Sequence, residues 1–222
     1  MISPYDWQEG IQNRSQYIEG RLANGLPVLA VSLQAGILLY TRRRQTRKVY
    51  DIYDRLAFCA IGQPSDIESV RSAALEFASR EGYQHSEDDV TIRRVVSTLA
   101  GPIRRAFGEY GSAPMVARCL FAELGADPAH DQYFTLDYDG DYVASCHRAA
   151  LTGKLEDGTK LEKQLEAVSA ETSVDDAILA MAPLFLNALG TGWNAAELTE
   201  EVVLLERDTH REDRFRILRG AD

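Results

Sequence analysis

The residues able to do chemistry are few, and most are badly spaced for it. The four histidines, His85, His130, His147 and His210, form no His-x-x-x-His pair, and the three cysteines form no Cys-x-x-Cys pair, so no metal site is expected. Cys146 and His147 are neighbours in one strand-like run, which sends their side chains to opposite faces. The segment "DYDGD", Asp137 to Asp141, opens like a calcium loop, but Arg148 stands at the twelfth position, where a bidentate Glu is needed. A hairpin turn accounts for the same letters. There is no Gly-x-Ser-x-Gly elbow. Cys59, Cys119 and Cys146 all lie in apolar runs, which raise a thiol's pKa and mark inert core cysteines. No cofactor is implied.

One cluster stands out. "RRRQTRK", Arg42 to Lys48, concentrates positive charge in a chain whose net charge is −10. It reads either as a solvated loop or as an anion site. The run is short and lacks interleaved aromatics, which argues against nucleic acid and leaves a carboxylate as the partner.

The strands leading into that cluster could have carried a nucleophile. "GLPVLAVSLQAGILLYTRRR", Gly25 to Arg44, reads as two short strands joined at Gln34-Ala35-Gly36. Self-processing hydrolases open such a strand with Gly followed by Thr, Ser or Cys. Here Gly25 is followed by Leu26 and Pro27, neither of which can attack a carbonyl. Gly111-Ser112, Gly158-Thr159 and Gly190-Thr191 fall at helix edges or in loops, not at the start of a core strand.

The elements that would position these groups follow from composition and period. With 222 residues, 45% hydrophobic and 26% charged, the chain has globular composition and fits one domain spanning 1–222. An odd cysteine count without regular spacing suits a reducing compartment. "MISPYDWQEG" has neither the basic start nor the apolar stretch of a secretory signal, and no apolar run approaches the ~20 residues of a membrane helix, so a cytoplasmic protein is expected.

A leading helix is expected over 3–22, with Ser3 as N-cap, Pro4 at the first helical position, and Trp7, Ile11, Ile18 and Leu22 at helical spacing. A sandwich over 27–222 follows. After the hairpin comes the strand "RLAFCAI", then a helix opened by the capping box Ser65-Asp66-Ile67-Glu68 and stopped at Gly82. A second helix starts near Ser86 and is expected to kink near Gly101, because Pro102 removes a backbone bond. Three strand-like runs follow, "PMVARCLFAEL", "DQYFTLDY" and "DYVASCHRA", the last two joined by an Asp139-Gly140 turn. A short helix opening at Thr159, another from Ser173 to Leu189, and a closing hairpin complete the chain. Hairpin-linked strands with grouped helix pairs give an α+β fold, a four-layer α-β-β-α sandwich with two antiparallel sheets covered by helices.

Taken in order, four segments resemble the α-type subunit of the proteasome core particle, in its actinobacterial form. They are "ISPYDWQEGIQNRSQYIEGRLA", "RKVYDIYDRLAFCAIGQPSDIESVR", "EFASREGYQHSEDDVTIRR" and "EEVVLLERDTHREDRFRILRG". The resemblance covers nearly the whole chain and implies a non-catalytic subunit of the Ntn-hydrolase-like fold. It further implies a homo-heptameric ring capping proteasome β-type subunits, which carry the threonine-type peptidase activity. The α-type ring gates entry of protein substrates and docks the C-terminal tails of a ring ATPase activator. In that family a lysine pairs with the tail's carboxylate; Lys48, just before "VYDIYDR", matches it, and Gly62 in "CAIGQ" matches a backbone contact of the same pocket. Met1, Ile2, Ser3 and Pro4 match the gate. Tyr5-Asp6-Trp7 falls inside the first helix and lacks the Arg of the family's Tyr-Asp-Arg gating motif, so it is not read as that motif. Bacterial relatives place several residues ahead of the Ser-Pro, and only Met1 and Ile2 precede Ser3 here: either the start is truncated or the gate is leaky, and a more open pore is expected. Two other readings are a stand-alone homo-oligomeric scaffold of this fold and an Ntn-type hydrolase with an unusual nucleophile.

Overall fold

A computed structural model describes residues 4–109, 111–190, 192–210 and 213–220, with residues 4–6 described in backbone only. Alternating side chains build it. In β1 (Val28–Leu33) and β2 (Gly36–Arg43), Val28, Ala30, Ile37 and Leu39 face one way, while Leu29, Val31, Leu33, Leu38 and Tyr40 face the other. Both sets are buried, which is why these strands read as continuous apolar runs. The same division holds in β4 (Leu56–Gly62) and β5 (Ala117–Glu123): Ala57, Cys59, Ile61, Leu120 and Ala122 face the first set across the sandwich, and Phe58, Ala60, Cys119 and Phe121 face outward to helices.

The first sheet therefore runs β10-β9-β2-β1-β8, with β8 at Arg148–Leu151, β9 at Thr199–Glu206 and β10 at Phe215–Arg219. The second runs β3-β4-β5-β6-β7, with β3 at Val49–Tyr53, β6 at Gln132–Leu136 and β7 at Tyr142–Cys146. Every pairing is antiparallel. Helices α2 (Pro64–Gln84) and α3 (Ile92–Gly108) cover the second sheet; α4 (Leu155–Gln164) and α5 (Val174–Asn187) cover the first. This is the expected four-layer sandwich.

The leading helix α1 (Pro4–Leu22) belongs to neither outer layer. Its last turns drive Ile18 and Leu22 into the space between the sheets, where both are fully buried. Arg118, by its period-two position on β5, also enters that space and is fully buried. It donates to Asp137 at 2.9 Å, to Glu19 of α1 at 2.8 Å, and to the carbonyls of Thr152 and Gly153. A buried guanidinium is tolerated only when its donors are satisfied in this way. At the opposite end, Arg207 clasps buried Asp131 at 2.8 Å.

Several details differ from the sequence expectation. Helix α2 runs through Gly82 to Gln84, and the next helix starts at Ile92 rather than near Ser86, after a short 3-10 turn at Glu87–Asp89. A further strand, β3, lies between the hairpin and "RLAFCAI", at an edge where only Val49 and Ile52 are buried and the apolar signal is weak. The run "DYVASCHRA" splits at His147, whose φ of 67° breaks it into β7 and β8 on different sheets. Cys146 is consequently exposed at a strand end, not an inert core residue. Helix α4 opens at Leu155, not Thr159: Gly158 lies inside it, where an added Cβ would sit 3.1 Å from the Ala150 carbonyl, so glycine permits close helix–strand approach there. Finally, Ser65 does not cap α2. Pro64 is its first residue and Gln63 its N-cap, so Ser65 and Glu68 lie inside, and Glu68 pairs with Arg71. Pro102 and Pro183 are both accommodated within continuous helices.

Candidate binding pocket

The register of β3 on β4 decides the site. Val49 stands opposite Cys59, so the chain just before β3 runs beside Ala60, Ile61 and Gly62 at the end of β4. The end of α1 meets the same corner. Between them opens a pocket of about 320 Å³ whose wall includes Arg21, Lys48, Tyr50, Ile61, Gly62 and Trp193. The two binding residues expected from sequence, 14 positions apart, thus share one pocket wall.

Glu201 of β9 fixes the approach to that wall. Its carboxylate accepts the backbone N–H of Lys48 at 3.0 Å and of Val49 at 3.2 Å, and lies 3.7 Å from the Arg43 guanidinium. With its oxygens committed to the backbone, it holds the loop and leaves the Lys48 ammonium without a hydrogen bond or ion pair among the described residues. Desolvation pushes the Lys48 pKa down to about 8, against smaller opposing effects of Cys59 and Glu201. Desolvation likewise raises the carboxyl of Glu201, partly offset by the two backbone N–H donors and Arg43.

Two glycines shape the floor. Gly62 has φ +143°, and a Cβ there would lie 2.0 Å from the Val116 carbonyl oxygen. At Gly25 a Cβ would lie 1.8 Å from the Ile61 side chain. At the rim, Trp193 donates its indole N–H to the Asn24 carbonyl at 2.8 Å, and the Arg44 guanidinium sits 4.7 Å above the indole centroid. Tyr50 donates to the Arg47 carbonyl at 2.7 Å and carries the Arg71 guanidinium 5.1 Å above its ring.

Comparison with known proteins gives the family. A family model described as proteasome subunit matches residues 21–196. The chain belongs to the proteasome subunit family. A proteasome subunit alpha of Actinosynnema mirum is 30% identical over 95% of this chain and 81% of its own length. That of Xylanimonas cellulosilytica is 31% identical over 99% of this chain and 91% of its own length. One from Streptomyces coelicolor is 26% identical over 99% of this chain and 86% of its own.

In this member of the proteasome subunit family, the basic run 42–48 is divided by function. Arg42 turns to Glu200 and Arg43 to the Gln45 and Gly220 carbonyls, so both serve β9 and the C-terminal hairpin. Arg44, Arg47 and Lys48 border the pocket. Arg21, Tyr50 and Trp193 were not singled out from sequence; Trp193 lies 145 residues from Lys48, and no local spacing signals the meeting.

At the start of β1, Leu26 and Pro27 are buried, and the Pro27 carbonyl accepts from the Thr41 hydroxyl at 2.6 Å. The thiols of Cys59 and Cys119 are pushed far up by burial, as expected of inert cysteines. No His, Cys, Asp or Glu group among the described residues could hold a metal ion, and no helix among them is long and apolar enough to cross a membrane. Of the expected gate, Met1, Ile2 and Ser3 lie outside the described residues, and Pro4 is the first residue of α1.

Proposed function

We propose that the chain is a non-catalytic α-type subunit of a cytoplasmic proteasome core particle. Seven copies form a ring that caps β-type subunits, residues ahead of α1 border its axial pore, and the pocket at Lys48 and Gly62 receives the C-terminal tails of a ring ATPase activator. The names of the relatives support assembly into such a particle. The absence of any nucleophile at Leu26-Pro27 supports the non-catalytic role.

The observation that carries the docking role is the lysine itself. Lys48 lines an open pocket together with Arg21 and Arg47, and its ammonium has no carboxylate of its own among the described residues. A peptide's terminal carboxylate supplies the missing partner. One such pair, partly exposed, contributes on the order of 1 kcal/mol, and several tails engaging one ring multiply that through effective concentration.

The test is Lys48→Ala in particles reconstituted with β-type subunits and a ring ATPase. ATP-dependent protein degradation is expected to fall to the unstimulated level, with ring assembly intact by native mass. Degradation at the wild-type rate overturns the docking role.

A further inference from the structure

The chain is rich in arginine and poor in lysine. Of its 24 Lys and Arg residues, only four are lysine: Lys48, Lys154, Lys160 and Lys163. Three are exposed on or beside α4; the fourth lines the pocket. An arginine at position 48 would bind a carboxylate at least as well, and it could never lose its proton. Lysine adds one capability, a neutral amine with a lone pair.

We propose that Lys48 is an acyl-acceptor site, and that the pocket admits small anionic acyl donors of the acyl phosphate class. The surroundings support both halves. Arg21 from α1 and Arg47 from the preceding loop line the same pocket and make it cationic. Asn24, Thr46, Tyr50 of β3 and Glu68 of α2 add polar lining, and Glu68 is held by Arg71 at 2.6 Å. Cys59 of β4 is a neutral thiol, and Glu201 of β9 is engaged by backbone N–H groups. Leu26, Ala60, Ile61 and Ile67 give the pocket an apolar wall beside the amine. A desolvated amine beside cationic groups is the setting in which lysine becomes nucleophilic near neutral pH.

The step balances without a further reactant. The Nζ lone pair attacks the acyl carbonyl carbon, and the N–C bond forms. The bond from that carbon to the phosphate oxygen breaks, and inorganic phosphate leaves with the electron pair. The ammonium proton passes to solvent. Arg21 and Arg47 offer the positive charge that draws the anionic donor in and eases departure of phosphate. The product is an uncharged amide, which cannot pair with a tail's carboxylate. Acylation would then switch off docking; that consequence rests on the function proposed above, and the reactivity does not.

The test uses the purified full chain, with acetyl phosphate as donor and no activator present. Folded protein is exposed briefly at pH 7, unfolded, capped at remaining amines with a heavy-isotope acetyl reagent, and read site by site by mass spectrometry. Lys48 is expected to acetylate about tenfold faster than Lys154, Lys160 or Lys163, since its larger neutral fraction outweighs the lower basicity of its amine. Unfolding the chain first should remove that advantage, and Arg21→Gln should reduce the Lys48 rate several-fold while sparing the other three. Labelling of Lys48 in the folded chain no faster than the exposed lysines overturns the proposal. Because no tail is present, that result leaves the docking role to be judged by Lys48→Ala alone.

Discussion

Arg118 of β5 and Glu19 of α1 meet at 2.8 Å, the arginine fully buried and the glutamate reaching in from the leading helix. The contact ties α1 to the inter-sheet space, and α1 in turn brings Arg21 and Asn24 to the pocket. Arg14 adds a second tether, donating to the Ala106 and Ser112 carbonyls around the end of α3. Arg118→Ala leaves Asp137 partly buried without its cation, along with the Thr152 and Gly153 carbonyls. Removing one partner of a buried pair costs about 3–5 kcal/mol, and urea unfolding of the variant should show a loss in that range. Glu19→Gln keeps a hydrogen-bond acceptor at a half-exposed position and should lose less than about 1 kcal/mol. Equal losses for the two would mean that Arg118 does not organise this corner.

Gly62 is held by backbone geometry as well as by space. Its φ of +143° is one that side chains rarely adopt, and a Cβ there would collide with the Val116 carbonyl, which cannot swing aside as a long side chain can. Gly62→Ala is expected to lose about 1–3 kcal/mol of stability, measured by chemical denaturation. The same substitution should weaken activator stimulation at temperatures where the variant remains folded, because the shift needed to relieve the clash moves the pocket floor. Wild-type stability in Gly62→Ala would show that β4 ends differently.

The sandwich was legible in the sequence because both central strands of each sheet are buried on two faces, so their apolar runs are unbroken. The missed strand β3 sits at an edge, where Asp51 is exposed and period-two alternation is the only signal. The break at His147 is likewise silent: an exposed residue with positive φ leaves no mark on hydrophobic pattern. For the pocket, resemblance supplied Lys48 and Gly62, whereas Arg21, Tyr50 and Trp193 arrive through the packing of α1, β3 and the segment before β9. Those meetings are set by tertiary contacts that no local window contains. Arg42 and Arg43 show the converse. Their charge was visible, but only the pairing of β2 with β9 reveals that it is consumed by Glu200 and Glu201.

The three thiols should separate cleanly. Cys59 and Cys119 are buried between layers with their pKa values pushed up, and Cys146 is exposed at the end of β7. A maleimide reagent is expected to label one thiol per folded chain, at Cys146, and three after unfolding in denaturant. Mass spectrometry of the digested protein reads the sites directly. Rapid labelling of Cys59 in the folded state would mean that the pocket opens into the inter-sheet core.

Lys48 should also leave a mark on stability against pH. Its folded pKa, about 8, lies below the ~10.4 of a lysine in an unfolded chain. Between those values the unfolded state binds the extra proton, so the stability contribution of this group rises as pH rises. Below pH 8 the full cost of holding a desolvated ammonium is present; above about pH 10.5 it is gone. Lys48→Met removes the group, so the variant is expected to be more stable than wild type at pH 7, by about 1–2 kcal/mol after allowance for partial exposure. The difference should shrink toward zero as pH approaches 10.5. Tyr40, Tyr50 and Tyr138, all raised by burial, lower stability at high pH through their own titration, but equally in both proteins, so they cancel in the comparison. Paired urea titrations at pH 7, 8, 9 and 10 measure the gap. A gap independent of pH would show that Lys48 ionises in the folded chain as it does in the unfolded one, and would remove the electrostatic basis for a vacant cation in this pocket.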